Sequence, residues 1–312
     1  MTVVATLSSL GHSKCEFEAI FNFVDSNSDT GGFWAAFPAQ PEPYGMTYFK
    51  RPVGRATDGR LIVGFSSPYL KSIGSDYKHG ANFATLASTV LLPNTSLFVT
   101  GNSSFSRAIQ LNQMKAFKTQ VEEFHHSSDQ QEQKRLPSLD IFGKSLYTFH
   151  IGQNDFTSNL AAIGVGGVKQ YLPLVSQIAA VVDNNNLLKE ALSQTRGSLP
   201  NASLVYVDTS SVLLELFRHP ASHGLKYGTK SCCGYGGGAY NFDPQVFCGN
   251  TKVINGKSVT ATACSDPYNY VSWDGVHATE AANKLTTLAI LNGTFSDPPL
   301  PFEHFCDLHR IA

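Results

Sequence analysis

Three short apolar runs along the chain each end in a polar cluster. Residues 19–24 (AIFNFV) lead into Asp25-Ser26-Asn27-Ser28-Asp29, residues 145–151 (SLYTFHI) into Gly152-Gln153-Asn154-Asp155, and residues 203–207 (SLVYV) into Asp208-Thr209. Runs of this length bounded by turn residues read as buried strands. Between them, residues 168–196 carry Leu172, Val175, Ile178, Val182, Leu188 and Leu192 at helical spacing, and residues 278–291 form a second amphipathic stretch. Strands separated by helices predict a parallel α/β sheet, whose site gathers at the carboxyl ends of the strands. Inside the first helical stretch, Asp183-Asn184-Asn185-Asn186 is a poor helix interior, because these side chains compete for backbone hydrogen bonds. Either one helix is weakened there or two helices meet. The stretch holding Pro38, Pro41, Pro43 and Pro52 reads as an irregular surface excursion, and residues 226–266 as a Gly- and Cys-rich loop.

Composition narrows the class. The chain has 312 residues, 42% apolar and 15% charged, which suffices for a buried core and excludes a disordered tail. A single domain is expected. A net charge of -1 with scattered Lys and Arg gives no field for phosphates, so nucleic acid is excluded as a partner. No apolar run approaches the ~20 residues of a membrane helix. Of six cysteines, four fall between Cys232 and Cys264, without a Cys-x-x-Cys pair or a His at zinc spacing, so disulfides are expected rather than a metal. Sequons at Asn94, Asn102, Asn201 and Asn292 point to secretion. The first residues, lacking a basic start, make a poor signal peptide; residues 1–14 are read as a leader remnant or disordered N-terminus, and 15–312 as the domain.

A serine nucleophile needs a base, a group that orients the base, and donors for the oxyanion. Ser26 follows a strand where a sharp turn exposes its hydroxyl. Asp274 and His277, three apart on a Gly-containing turn, allow a carboxylate to reach the Nδ1 side of the imidazole. Asn154 offers a side-chain N–H and Gly80 a backbone N–H. His79, beside Gly80, reads as an ordinary loop histidine. The strings FNFVDSNSDTGG, DGRLIV, GANFAT, YTFHIGQNDF, CCGYGGGAYNF and YVSWDGVHATEAAN, in this order from about Cys15 to Asp307, resemble the plant GDSL esterase/lipase family of SGNH hydrolases. The resemblance implies a flavodoxin-like three-layer α/β/α sandwich with a parallel sheet, no cofactor or metal, a monomer, and hydrolysis of an acyl or acetyl ester through an acyl-enzyme. It implies Ser26 as nucleophile, the Ser26 N–H, Gly80 and Asn154 as oxyanion donors, and Asp274 and His277 as acid and base. The same site serves acyl transfer to an alcohol.

Three departures from the family pattern stand out. Val24 replaces a glycine ahead of Asp25-Ser26, where glycine serves a special backbone angle or close packing under the nucleophile; a β-branched residue there is either strained or simply extends the strand. The DGRLI and SPYL strings abut near residues 65–66, where similar proteins place a helix. At residues 180–184 the chain passes directly into the Asn run, where similar proteins continue through a strand and a Cys-containing loop. A strand-helix unit is therefore expected to be missing. The alternative reading is an impaired relative that either retains only glycan binding, through Tyr235, Tyr240, Phe242, Tyr268, Tyr270 and Trp273, or does not fold.

Overall fold

The computed structural model describes residues 2–7, 17–38, 40–63, 67–71, 75–89, 105–126, 134–150, 153–154 and 174–302, with the backbone alone for 2–7, 174–184 and 187. Its centre is a five-stranded sheet of order β11-β4-β1-β3-β2. Here β1 is Thr2–Leu7, β2 Ala19–Val24, β3 Ser145–His150, β4 Ala202–Val207 and β11 Ser296–Asp297. The three apolar runs thus form β2, β3 and β4. Strands β2 and β3 are parallel, in register from Ala19 opposite Ser145 to Val24 opposite His150. On its outer side β2 is joined by residues 79–85, through bonds from Ile20 N–H to His79 O, Phe83 N–H to Asn22 O and Thr85 N–H to Val24 O.

The sheet is not wholly parallel as expected. Strand β1 runs antiparallel between β3 and β4, with Thr2 opposite both His150 and Val207, and β11 is antiparallel to β4. Residues 2–7, within the stretch read as a leader remnant or disordered N-terminus, form the middle strand of the sheet. Antiparallel pairing gives β3 and β4 a shared neighbour and satisfies backbone groups that would otherwise be buried without partners.

Alternation along the strands sends side chains to opposite faces. Phe21 and Phe23 pack with Phe83, Phe117, Val121 and Phe142. Leu146, Val205 and Val207 pack with Ile290 on the other face, while Leu204 and Tyr206 meet Leu192. Full burial of each such Phe contributes about 2 kcal/mol. The packing helices are α2 (Arg107–His126), α3 (Leu174–Ser198) and α5 (Glu280–Leu291); α1 is Gly32–Ala36 and α4 Thr209–Arg218. The Asp-Asn run lies inside α3, one continuous helix of 25 residues, so the second of the two expectations, a meeting of two helices, is set aside. Helix α5 starts where expected, its Thr279 hydroxyl accepting from the Ala282 N–H.

The Gly- and Cys-rich segment contains short strands: β5 (Tyr227–Ser231) beside β10 (Tyr270–Ser272), β6 (Cys233–Gly234) beside β9 (Thr262–Ala263), and the hairpin β7 (Thr251–Ile254) and β8 (Lys257–Thr260). Disulfides join Cys232 to Cys264 and Cys233 to Cys248. Cys15, Cys306, Asn94, Asn102 and the join at 65–66 lie outside the described residues. Among those described, no helix is long and apolar enough to cross a membrane.

Candidate active site

The carboxyl end of β2 turns sharply. The Ser28 N–H bonds to Asp25 O, which puts Ser26 and Asn27 at the centre of a four-residue turn, and Asp25 Oδ1 accepts the Asn27 N–H at 3.0 Å. Ser26 therefore projects from a turn at the end of a buried strand. The turn is anchored below by two fully buried amides: Asn22 Nδ2 donates to Ser28 O and to Asn82 Oδ1, and Asn82 Nδ2 donates to Ser28 O and Thr30 Oγ1. Asp29 closes it, accepting from the N–H groups of Gly31, Gly32, Phe33 and Leu86. Burial outweighs these four donors and pushes its carboxyl up to about 6.

Just before this turn, Val24 has φ 89°. This is the left-handed region that glycine enters freely and a β-branched side chain does not. The special backbone angle expected from the sequence is present.

Asp274 and His277 occupy the turn between β10 and α5. Asp274 Oδ2 meets His277 Nδ1 at 2.8 Å, while Oδ1 accepts the Val276 and His277 N–H groups at 3.0 and 2.8 Å. Gly275, at φ 89°, permits this tight path. Tyr44 donates its hydroxyl to Asp274 Oδ2 at 3.1 Å. Burial alone would raise the Asp274 carboxyl, but the His277 imidazole and the two N–H donors hold it below its usual range. Burial alone would lower His277; the Asp274 carboxylate reverses this and holds it above 6.5, and the charge of Asp25 acts in the same direction. His277 is thus within electrostatic reach of the Ser26 turn. Strings that carry no chemistry support the pair from behind. Asp58 Oδ1 accepts the Glu280 N–H, Thr57 Oγ1 donates to Ala278 O, and Glu280 binds Arg60 at 2.6 Å and the Thr47 hydroxyl at 2.7 Å.

Side-chain amides tie the two turns together. Asn27 Nδ2 donates to Gln153 Oε1 at 2.7 Å, and Gln153 Nε2 donates to Val276 O at 3.2 Å. The neighbouring Asn154 donates to Ser88 O at 3.0 Å, which leaves its second N–H for another acceptor. The structure therefore brings Ser26, Asn154, Asp274 and His277 to one place.

It does not bring Gly80 there. Ile20 N–H bonds to His79 O, so Gly80 lies level with the start of β2, at the opposite end from Ser26. Its N–H is donated to Tyr77 O at 3.0 Å, and a Cβ on it would strike Ile20 O, so this glycine serves close packing. The segment reaches the site seven residues later. Ser88 N–H bonds to Thr85 O, closing a turn with Ala87 at φ 62°, and among the described residues the Ala87 N–H has no partner. Ala87 was masked in the sequence because no glycine marks its left-handed angle. Tyr44, Gln153 and Gln110 were equally invisible, since long-range side-chain bonds leave no local pattern. Trp273, expected on a sugar-stacking surface, is fully buried against Cys232, Cys233 and Cys248, whereas Tyr240 and Tyr268 are exposed.

A serine on a strand-end turn, tied to a turn that pairs a buried Asp with a partly buried His in an α/β fold, has the parts of a hydrolase. The sequence profile described as GDSL-like lipase/acylhydrolase matches residues 20–180 and 173–290, and the chain belongs to that family of carboxylic ester hydrolases. It is 54% identical to a GDSL esterase/lipase of Arabidopsis thaliana, over 98% of this chain and 96% of that protein. It is 37% identical to an esterase of Hevea brasiliensis over 94% of this chain and 90% of the relative. With alpha-L-fucosidase 3 of Arabidopsis thaliana the identity is 35%, over 91% and 93%. The first of these alignments runs over 366 positions, more than the 312 residues of the chain, so that relative carries segments without a counterpart here.

Proposed function

We propose that the chain hydrolyses an acyl or acetyl ester through an acyl-enzyme on Ser26. The observation that carries this reading is the 2.8 Å contact between Asp274 and His277, on a turn tied through Gln153 to the Ser26 turn. His277 takes the Ser26 proton as Oγ attacks the ester carbonyl, and the tetrahedral oxyanion forms. His277 then gives that proton to the departing alkoxide as the C–O bond breaks. Water, deprotonated by the same imidazole, attacks the acyl-enzyme carbonyl; the bond from the acyl carbon to Ser26 Oγ breaks, the imidazolium returns its proton to Oγ, and the carboxylic acid leaves. Asp274 fixes the tautomer with Nδ1–H toward itself and leaves Nε2 as the base. The oxyanion is held by the N–H of Ser26, the N–H of Ala87, in place of Gly80, and the second side-chain N–H of Asn154. Replacement of water by an alcohol gives acyl transfer from the same intermediate.

Turnover of p-nitrophenyl acetate by the wild-type chain and by Ser26→Ala tests the assignment. Removal of the nucleophile is expected to lower kcat by at least about a thousandfold; equal turnover by both proteins would overturn it.

Two further parts of the reading rest on separate observations. The two disulfides, and exposed sequons at Asn201 and Asn292, support an oxidising, extracellular setting for a glycoprotein. The left-handed Val24 and the long alignment support a chain that lacks a strand-helix unit of its family and works below the family's capacity. The meeting of the two profile matches at 173–180 agrees with a join near residues 180–184.

A further inference from the structure

Gln110 lies in the first turns of α2, with its side chain fully buried. Its Oε1 accepts the Val24 N–H at 2.6 Å, while its Nε2 lies 3.2 Å from Val24 O. One amide thus brackets the single residue whose backbone is held in the left-handed region beneath Ser26. The same Nε2 is 2.9 Å from Ser88 Oγ, 3.2 Å from Thr85 Oγ1 and 3.3 Å from Phe105 O. Thr85 and Ser88 are the first and last residues of the turn that holds Ala87.

Two hydrogens on Nε2 thus face four acceptors, and the side chain has no solvent to turn to. A residue at an unfavourable φ persists only where its surroundings over-determine it. Thr85 N–H also donates to Val24 O, so both peptide groups flanking Val24 are pinned from the same side.

We infer that Gln110 is a positioning residue: it fixes the Ser26 turn and the Ala87 turn relative to one another, and thereby sets the spacing of nucleophile and oxyanion donors. This rests on the reading of Ser26 as the nucleophile. Gln110 touches no reacting atom. Its loss acts through the ~1 Å relaxation of Val24 toward ordinary backbone, a displacement of the size that lowers rate about a hundredfold.

The test compares Gln110→Ala and Gln110→Glu, each with and without Val24→Gly, in p-nitrophenyl acetate turnover, with Ser26→Ala as reference and circular dichroism as a check on folding. Glycine holds φ 89° without strain, so it lessens the dependence on the clamp. Expected for Gln110→Ala is a kcat lowered about a hundredfold with KM within about threefold, and a loss at least about fivefold smaller in the Val24→Gly background. Gln110→Glu keeps the acceptor for the Val24 N–H, loses the donors, and should fall between; it also serves if the alanine variant does not fold. A kcat within twofold of wild type for a folded variant, or an equal loss in both backgrounds, overturns the inference while Ser26→Ala remains inactive. Activity retained by Ser26→Ala would instead remove the nucleophile assignment.

Discussion

At the residue scale, Val24 sets the opposing magnitudes against each other. Its left-handed backbone costs about 1 to 3 kcal/mol. Its side chain is fully buried in the aromatic core, which returns about 1.5 to 3 kcal/mol. Val24→Gly should therefore leave stability within about 1 kcal/mol while raising kcat/KM, because glycine holds φ 89° without strain and keeps the turn under Ser26 in place. Steady-state kinetics beside thermal unfolding checks this, and an unchanged or lower kcat/KM speaks against strain at the nucleophile. His277 gives a second expectation. The imidazole must be neutral to accept the Ser26 proton, and Asp274 holds it above 6.5, so activity should be lost as pH falls through that raised value and be full above it. Asp274→Asn removes the anion and should shift the limb to lower pH while lowering kcat by about ten-thousandfold. A pH-rate profile with an unmoved limb would contradict the pairing. The Asp-His spacing was legible because both partners lie on one short turn. The backbone donor proposed for the oxyanion was not: the glycine of the string is Gly80, while the left-handed angle near the Ser26 turn belongs to Ala87.

At the element scale, the three apolar runs disclosed β2, β3 and β4 because burial on both faces leaves continuous hydrophobic stretches. Helix α2 escaped notice, since only Gln110, Phe117 and Val121 of its 20 residues are buried and the rest, apolar residues such as Leu111 included, is wholly or partly exposed. The helical span of α3 was readable despite its Asn run, which tertiary context accommodates at modest cost. Within the Gly- and Cys-rich segment, disulfides replace a hydrophobic core. Cys233 N–H bonds to Trp273 O at 2.6 Å and Cys232 N–H to Ser272 O, so the bridges back the turn that carries Asp274 and His277. Replacing Cys233 and Cys248 together by serine opens a 15-residue span and should cost about 3 kcal/mol. A drop of roughly 6 to 12 °C in Tm is expected, with activity falling as Trp273 loosens. Differential scanning calorimetry and ester turnover on the same samples check both, and a variant with wild-type Tm would show the bridge to be dispensable.

At the scale of the whole molecule, the family and most of the candidate site's residues were legible in the sequence, but the sheet's centre was not. Nothing in the residue pattern of Thr2–Leu7 says that it pairs with strands about 140 and 200 residues away, because antiparallel insertion is a property of the partners. Deletion of residues 1–8 should leave β3 and β4 without their shared neighbour and collapse the soluble yield; a truncated chain with the same circular dichroism and Tm would refute that role. The direction of β1 has a further practical consequence. Thr2 stands opposite His150 and Val207, the last residues of β3 and β4, so the chain enters the sheet at the rim where Ser26 and Asn154 emerge. An affinity tag fused ahead of Thr2 would therefore leave the body of the protein on the same rim as the candidate active site, where it would crowd a substrate approaching Ser26.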